Sequence, residues 1–421
     1  MDIQVTAFGA VTGLIIAIIL IFIKTPPVYG LFIGALAGGL IGGASLAETI
    51  ELMINGAQDM VTAILRILAA GILAGVLIET GGAESIARTI INKIGETKAL
   101  FALALATMIL TTVGVFIDIS VITVAPIALI IAKNANISKT AILLAMIGGG
   151  KAGNVMSPNP NTIALSDAFA TPLTSVMLAG VIPAFVALFS TYFLAKRLTK
   201  KGVGVTLEDT DEEKRSELEL PSFMTALSGP LVAVILLSLR PIFGIEIDPM
   251  VALPLGGITG SIIMGRFKGI IGQATFGLSK MSNVAVLLIG TGLIAGVITN
   301  STLGDVLINF ISDLGLPVYL LAPLAGILMS GATASTTSGA IVAGQVFNTT
   351  LLESGVSGIA GAAMIHAGAT VIDHMPHGSF FHATGGSVQM NFKDRLKLIP
   401  YETLVGLTIT MVSVVIFGII G

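Results

Sequence analysis

Two carboxylates, a run of hydroxyls and all four histidines fall inside long apolar stretches of this 421-residue sequence, where polar chemistry is costly. Asp118 stands in Val115-Phe116-Ile117-Asp118-Ile119-Ser120, with Pro126 behind it. A charged Asp at the centre of a span costs about 2.5–3.5 kcal/mol on insertion scales, so it is expected to face a pathway or a partner. Such a carboxylate can carry a coupling proton; a structural pairing with Arg66 or Lys151 is the plainer alternative.

Further on, Ser330 to Ser338 holds six hydroxyls in nine positions beside Gly331 and Gly339. Small residues let a ligand approach the backbone, and hydroxyls with freed N–H groups suit a carboxylate. Thr333, Ser335 and Thr336 are therefore candidate binding residues, although Ser and Thr also glue helices together. A third break, Gly148 to Thr162, combines four glycines with Pro158 and Pro160. It is expected to end one helix, with Thr162 and Asp167 suiting the start of the next. Ser157, Asn159, Asn161 and Thr162 are its candidate ligands.

The fourth break, His366 to His382, contains every histidine together with Asp373, Pro376 and Ser379. A neutral imidazole can lodge in a membrane interior and protonate near physiological pH. His374, His377 and Ser379 are thus candidate substrate contacts, and His374 and Asp373 candidate proton carriers beside Asp118. Asp373, His374 and His377 are also metal-ligand types, but a transport site needs groups free to exchange partners, and no metal or cofactor is expected.

The elements that must position these groups are membrane helices. The chain is 54% hydrophobic and 11% charged, with mean hydropathy +0.99, against roughly 25% charged residues in soluble domains. Without cysteine there can be no disulfide, thiolate metal site or iron–sulfur cluster. Met1-Asp2-Ile3-Gln4 lacks a basic region, so the first apolar run is expected to stay as a span.

Apolar runs place spans near 5–23, 28–44, 60–80, 99–117, 119–132, 139–150 and 174–195, then 223–239, 250–265, 283–299, 316–330, 338–350, 357–372 and 402–420. Between the two sets, Lys196 to Pro221 holds 13 of 45 charged residues, six of them Lys or Arg, which favours a cytoplasmic linker. The expected organisation is a first repeat over 1–195, a linker over 196–221 and a second repeat over 222–421.

The halves also align residue by residue. Val28 to Gly34 with Gly38 and Gly43 maps onto Met250 to Gly256 with Gly260 and Gly265. Short amphipathic helices follow at Ala83–Gly95 and Leu303–Gly315, and Pro158 pairs with Pro376 and Pro183 with Pro400. Duplicated halves are the build of many secondary transporters, whose repeats are often inverted. The fold class is thus an all-α polytopic membrane protein of two homologous repeats with broken helices or re-entrant hairpins, and the breaks are expected to meet near the bilayer midplane.

The run Ile78-Glu79-Thr80-Gly81-Gly82-Ala83-Glu84-Ser85-Ile86-Ala87-Arg88-Thr89, the segment Phe116 to Pro126, the Pro158-Asn159-Pro160 loop and the stretch His374 to Phe380 resemble the gluconate permease family of the ion-transporter superfamily. The resemblance covers nearly the whole chain. It implies proton-coupled uptake of gluconate or related hydroxy acids, an inverted-repeat fold, a homodimer and a mobile transport unit in the inner membrane.

The sequence departs from the family where the site is expected. Asp118 replaces a Glu, Asn159 replaces a His between two prolines, and Asn161-Thr162 replaces Gly-Pro. His374 is kept, while Pro376-His377-Gly378-Ser379 replaces Asn-Asp-Ser-Gly. The substrate is accordingly expected to be gluconate-like or a shorter hydroxy acid.

The partners are then a small organic anion, a coupling proton with sodium as the alternative ion, and membrane lipid; no nucleic acid is expected. A cation/proton antiporter is the competing function. An intramembrane enzyme is disfavoured, because no serine sits in a nucleophile turn and no cofactor fingerprint is present.

Overall fold

The computed structural model describes residues 5–95, 98–205, 219–245, 247–313, 315–376 and 378–421. His377 and linker residues 206–218, with the acidic block from Glu208 to Glu213, lie outside the described residues. Every named element among the described residues is helical, as a chain in hydrocarbon requires when its backbone groups must be satisfied within each segment. The longest apolar helical stretches, Leu46–Glu79, Ile117–Asn134, Leu173–Leu198, Phe267–Thr299 and Phe392–Ile420, can each cross a bilayer. Large apolar side chains such as Ile15, Phe22, Phe185, Phe193 and Ile235 point outward.

In the first half, α1 (Ala7–Phe22) and α2 (Pro27–Ile41) form a hairpin, followed by α3 (Leu46–Gln58) and α4 (Val61–Glu79), which nearly abut. Then come the amphipathic α5 (Gly82–Ile94), α6 (Ala99–Thr112), α7 (Ile117–Asn134), α8 (Lys139–Asn154), α9 (Pro160–Ala168), α10 (Leu173–Ala179) and α11 (Val181–Leu198). The second half repeats the order. A hairpin of α12 (Phe223–Phe243) and α13 (Pro249–Ile263) precedes the long α14 (Ile270–Thr299), the amphipathic α15 (Leu303–Asp313), α16 (Leu321–Thr333), α17 (Thr336–Glu353), α18 (Gly358–Ala369), α19 (Ser379–Ser387), α20 (Phe392–Leu396) and α21 (Ile399–Val414).

Corresponding long helices lie against each other. A Cβ at Gly56 would strike the Gly292 carbonyl, one at Gly296 the Leu52 carbonyl, one at Gly277 the Gly71 carbonyl and one at Gly75 the Gln273 carbonyl. These pairs step in opposite directions along α3–α4 and α14, so the equivalent helices are antiparallel and the halves inverted. The register brings Ile64 level with Val284, at the pseudo-twofold axis, which in inverted repeats lies in the membrane plane.

Around this pair, α2 packs on α14 and α13 on α4, uniting the first four helices of one half with the first three of the other. A second body joins α6, α7, α8 and α11 to α16, α17, α18 and α21, and touches the first mainly where α17 meets α14 and α9 meets α4.

Three expectations change. The span read as 283–299 is the C-terminal half of α14, which begins at Ile270, because the polar Ser279, Lys280, Ser282 and Asn283 interrupt the apolar run without breaking the helix. Gly148 to Gly150 continue α8 instead of ending it. They are small because three helices press on them: a Cβ at Gly148 would meet Thr191 of α11, one at Gly149 the Ala104 carbonyl of α6 and one at Gly150 the Ile117 side chain of α7. Finally, α9 is capped by Asn159 and begins at Pro160, not at Thr162, and Asp167 lies at its far end.

Candidate functional site

The breaks in the second body place helix starts at membrane depth. Val113 to Phe116 separate α6 from α7, so Asp118 sits in the first turn of α7. Only Ala334 and Ser335 separate α16 from α17. Ala334 takes φ +47°, and the Ser335 hydroxyl caps α17 by accepting from the Ser338 N–H at 3.2 Å. Helix N-termini carry unpaired N–H groups and the positive end of the dipole, which favour anions.

Both starts line one cavity of about 520 Å³, within the usual range for small-molecule sites. Asp118 comes from α7, Ser335 and Thr336 to Ser338 from the cap and first turn of α17, Asp373 from the break before α19, Ser379 from the start of α19, and Lys280 and Asn283 from α14. Asn154 closes the wall at the end of α8. Asp118, Ser335, Thr336, Asp373 and Ser379 were legible in the sequence; Lys280, Asn283 and Asn154 were not singled out.

Behind the wall lies a buried polar network. The Lys151 ammonium donates to Asp373 Oδ1 at 2.6 Å, to the Thr370 carbonyl at 2.6 Å and to His374 Nδ1 at 3.0 Å. His374 Nε2 faces the Ile399 carbonyl at 3.1 Å, and its Nδ1 lies 3.0 Å from both the Lys151 ammonium and Asp373 Oδ1. Thr336 Oγ1 donates to the other Asp373 oxygen. Asp373 and His374 are therefore committed to Lys151, with Arg395 and Glu402 forming a further buried ion pair beyond His374.

A second network fixes α9. Asn159 Oδ1 accepts from the N–H groups of Asn161 and Thr162 at 2.9 and 3.1 Å, and from the Thr162 hydroxyl at 3.2 Å. Its Nδ2 donates to Asn154 Oδ1 at 2.6 Å and to Ser157 Oγ at 2.8 Å. Asn161 Nδ2 lies 3.3 Å from His366 Nε2.

Ser157, Asn159, Asn161, Thr162 and His374 are thus buried behind the cavity, off its lining, with their polar atoms largely spent on each other. Thr333 also lies off the lining, its hydroxyl donating to the Met329 carbonyl at 2.8 Å. Asp118 pairs with neither Arg66 nor Lys151: Lys151 holds Asp373, and Arg66 binds Asp167 and Asp248. His382 is exposed and stacks on Phe392. Among the described residues, no three His, Cys, Asp or Glu side chains are grouped to hold a metal.

An inverted pair of helical halves around a polar cavity in an apolar body defines a membrane transporter, and the comparisons agree. The GntP family permease profile matches residues 1–254, and the Na+-H+ antiporter family profile matches residues 225–314. An uncharacterized transporter of Haemophilus influenzae is 63% identical over 99% of both chains. A high-affinity gluconate transporter of Escherichia coli is 23% identical over 100% of this chain and 98% of its own. Among solved structures, the Alcanivorax borkumensis YdaH transporter, described as having an unusual topology, is similar with a TM-score of 0.64 at 16% identity, covering 89% of this chain and 88% of that one.

The chain belongs to the GntP permease family. It is a multi-pass protein of the inner membrane and a transporter, not an enzyme.

Proposed function

We propose that this protein is a secondary active transporter of a small organic acid anion, gluconate-like or a shorter hydroxy acid, moved with protons by alternating access. The observation that carries the reading is the pair of helix starts, α7 and α17, which line one cavity with Asp118, Ser335 and Thr336. N–H groups and hydroxyls suit a carboxylate, and Asp118 suits a proton that travels with it. The E. coli relative bears the name of a gluconate transporter, which points to the same class of solute. The second body, with both helix starts, would move against the first, built from α1–α4 and α12–α14.

Uptake of labelled gluconate and shorter hydroxy acids into proteoliposomes tests this. Saturable uptake driven by an inward proton gradient is expected; no uptake of any acid under either a proton or a sodium gradient would reject it. A cation/proton antiporter is the second reading, favoured by the antiporter-profile match over residues 225–314. It requires dye-reported proton flux when sodium is added without organic solute.

A further inference from the structure

Lys280 sits within α14, four residues from the level of the pseudo-twofold axis at Val284, or about 6 Å along the helix. A lysine there is too deep to be an ordinary interfacial anchor, and ionisable groups at that depth are normally paired. Among the described residues Lys280 has no ion-pair partner; its Nζ lies 5.1 Å from the centre of the Phe276 ring and the side chain lines the cavity. The other basic residues at similar depth behave differently, since Arg66 and Lys151 are both held by carboxylates.

A second, independent feature points to the same kind of ligand. The N–H groups of Asn161 and Thr162 fix Asn159 Oδ1 as an acceptor, so Asn159 Nδ2 must be the donor facing Asn154. Asn154 then turns its own Oδ1 toward Asn159 and is left with Nδ2 unused. That amide nitrogen is buried with no hydrogen-bond partner, on a residue that is 6% exposed and lines the cavity. A buried unpaired donor is costly and calls for an acceptor.

We infer that Lys280 is the anchor for the substrate carboxylate and that Asn154, oriented by Asn159, donates to the same anion. This rests on the reading of the cavity as an organic-anion site and assigns its specificity. The charge-assisted bond to Lys280 selects an acid over its neutral counterpart. Asp118, on another wall of the cavity, accepts from hydroxyls in either protonation state, so the ligand is an acid that carries hydroxyl groups away from its charged end. Asn159 acts through Asn154 as a positioning residue.

The test is titration of the purified full chain in lipid nanodiscs with D-gluconate, D-glycerate and the amide of each. The wild type is expected to bind at least one acid and to reject its amide. Lys280→Gln should weaken acid binding at least about tenfold, in line with the loss of one charge-assisted contact, and should erase the preference for acid over amide. Lys280→Arg should recover part of that preference. Asn154→Asp, which keeps the oxygen that serves Asn159 but replaces the donor with a negative charge, should also weaken acid binding.

Lys280→Met reads the same quantity should the glutamine variant not fold. Unchanged acid affinity in a folded Lys280 variant would overturn the assignment while leaving the anion site standing. A wild type that binds neither acid would overturn the anion reading itself.

Discussion

Arg66 and Lys280 stand on the two antiparallel long helices, α4 and α14, a few residues to the same side of the level where Ile64 meets Val284. Each projects into a polar hollow of comparable size, about 400 Å³ around Arg66 and about 520 Å³ around Lys280. Their electrostatics differ. The Arg66 guanidinium is forked onto Asp248, with contacts of 2.6–3.2 Å, and also bonds Asp167 from the end of α9. Lys280 faces Asp118, Asn154, Asn283 and the start of α17 across open space, with no carboxylate within ion-pairing distance among the described residues. In the hollow around Arg66 the cation is answered by protein carboxylates, and α4 and α9 join the first body to the second there. The hollow around Lys280 leaves a cation, a carboxylate and an amide for something that arrives and departs.

The sharpest way to break this contrast is to remove the carboxylate that faces Lys280 without a cation in ion-pairing distance among the described residues. Asp118→Asn keeps the shape of the first turn of α7 and deletes its charge. If Asp118 carries the coupling proton, gradient-driven uptake into proteoliposomes should fall to the level of protein-free vesicles, while acid binding in nanodiscs persists. Wild-type driven uptake in this variant would remove Asp118 from the coupling role and make the cavity charges a matter of binding alone.

The next effect is on stability. Arg66→Met strands Asp167 and Asp248 together, and breaking a buried pair costs about 3–5 kcal/mol. Arg66 and its partners keep some exposure, so a loss of about 2 kcal/mol is expected on that same scale. Lys280→Met deletes no protein contact beyond the Phe276 ring, and should stay within about 0.5 kcal/mol of wild type. Reversible unfolding of the two variants side by side measures the difference. Equal destabilisation would mean that Lys280 is held by protein after all.

Asp118 and Lys280 show what the sequence carried and what it hid. Asp118 was legible because a lone carboxylate interrupts a long apolar run. The amphipathic α5 and α15 and the order of prolines betrayed the two halves. Lys280 was hidden because Ser279, Lys280, Ser282 and Asn283 lowered the local hydropathy enough to look like the end of a span, and only α4, packed along its length, shows that α14 continues. Gly148 to Gly150 misled in the opposite sense: poor helix formers by propensity, they are helical because α11, α6 and α7 each need the bare backbone of one of them. Asn159 lies off the cavity lining and caps α9. Its hydrogen bonds reach residues two to five positions away, and the unpaired amide nitrogen at the cavity wall belongs to Asn154, where no composition rule would look.

The smallest expected effect separates the two ends of the hydroxyl run in the second half, which the sequence presented as one feature. Thr333 closes α16 and donates to the Met329 carbonyl one turn back, off the cavity. Thr336 opens α17, lines the cavity and donates to Asp373, the carboxylate already bound to Lys151. Valine at 333 exchanges a local side-chain bond for a methyl and should cost under about 0.5 kcal/mol. Valine at 336 leaves an Asp373 oxygen short of a donor in a buried site, worth about 1–3 kcal/mol, and removes a hydroxyl from the ligand's surroundings. Thr336→Val should therefore lower both the unfolding midpoint and the acid affinity, whereas Thr333→Val should change neither; equal affinity losses in the two would extend the binding surface beyond the cavity as the structure draws it.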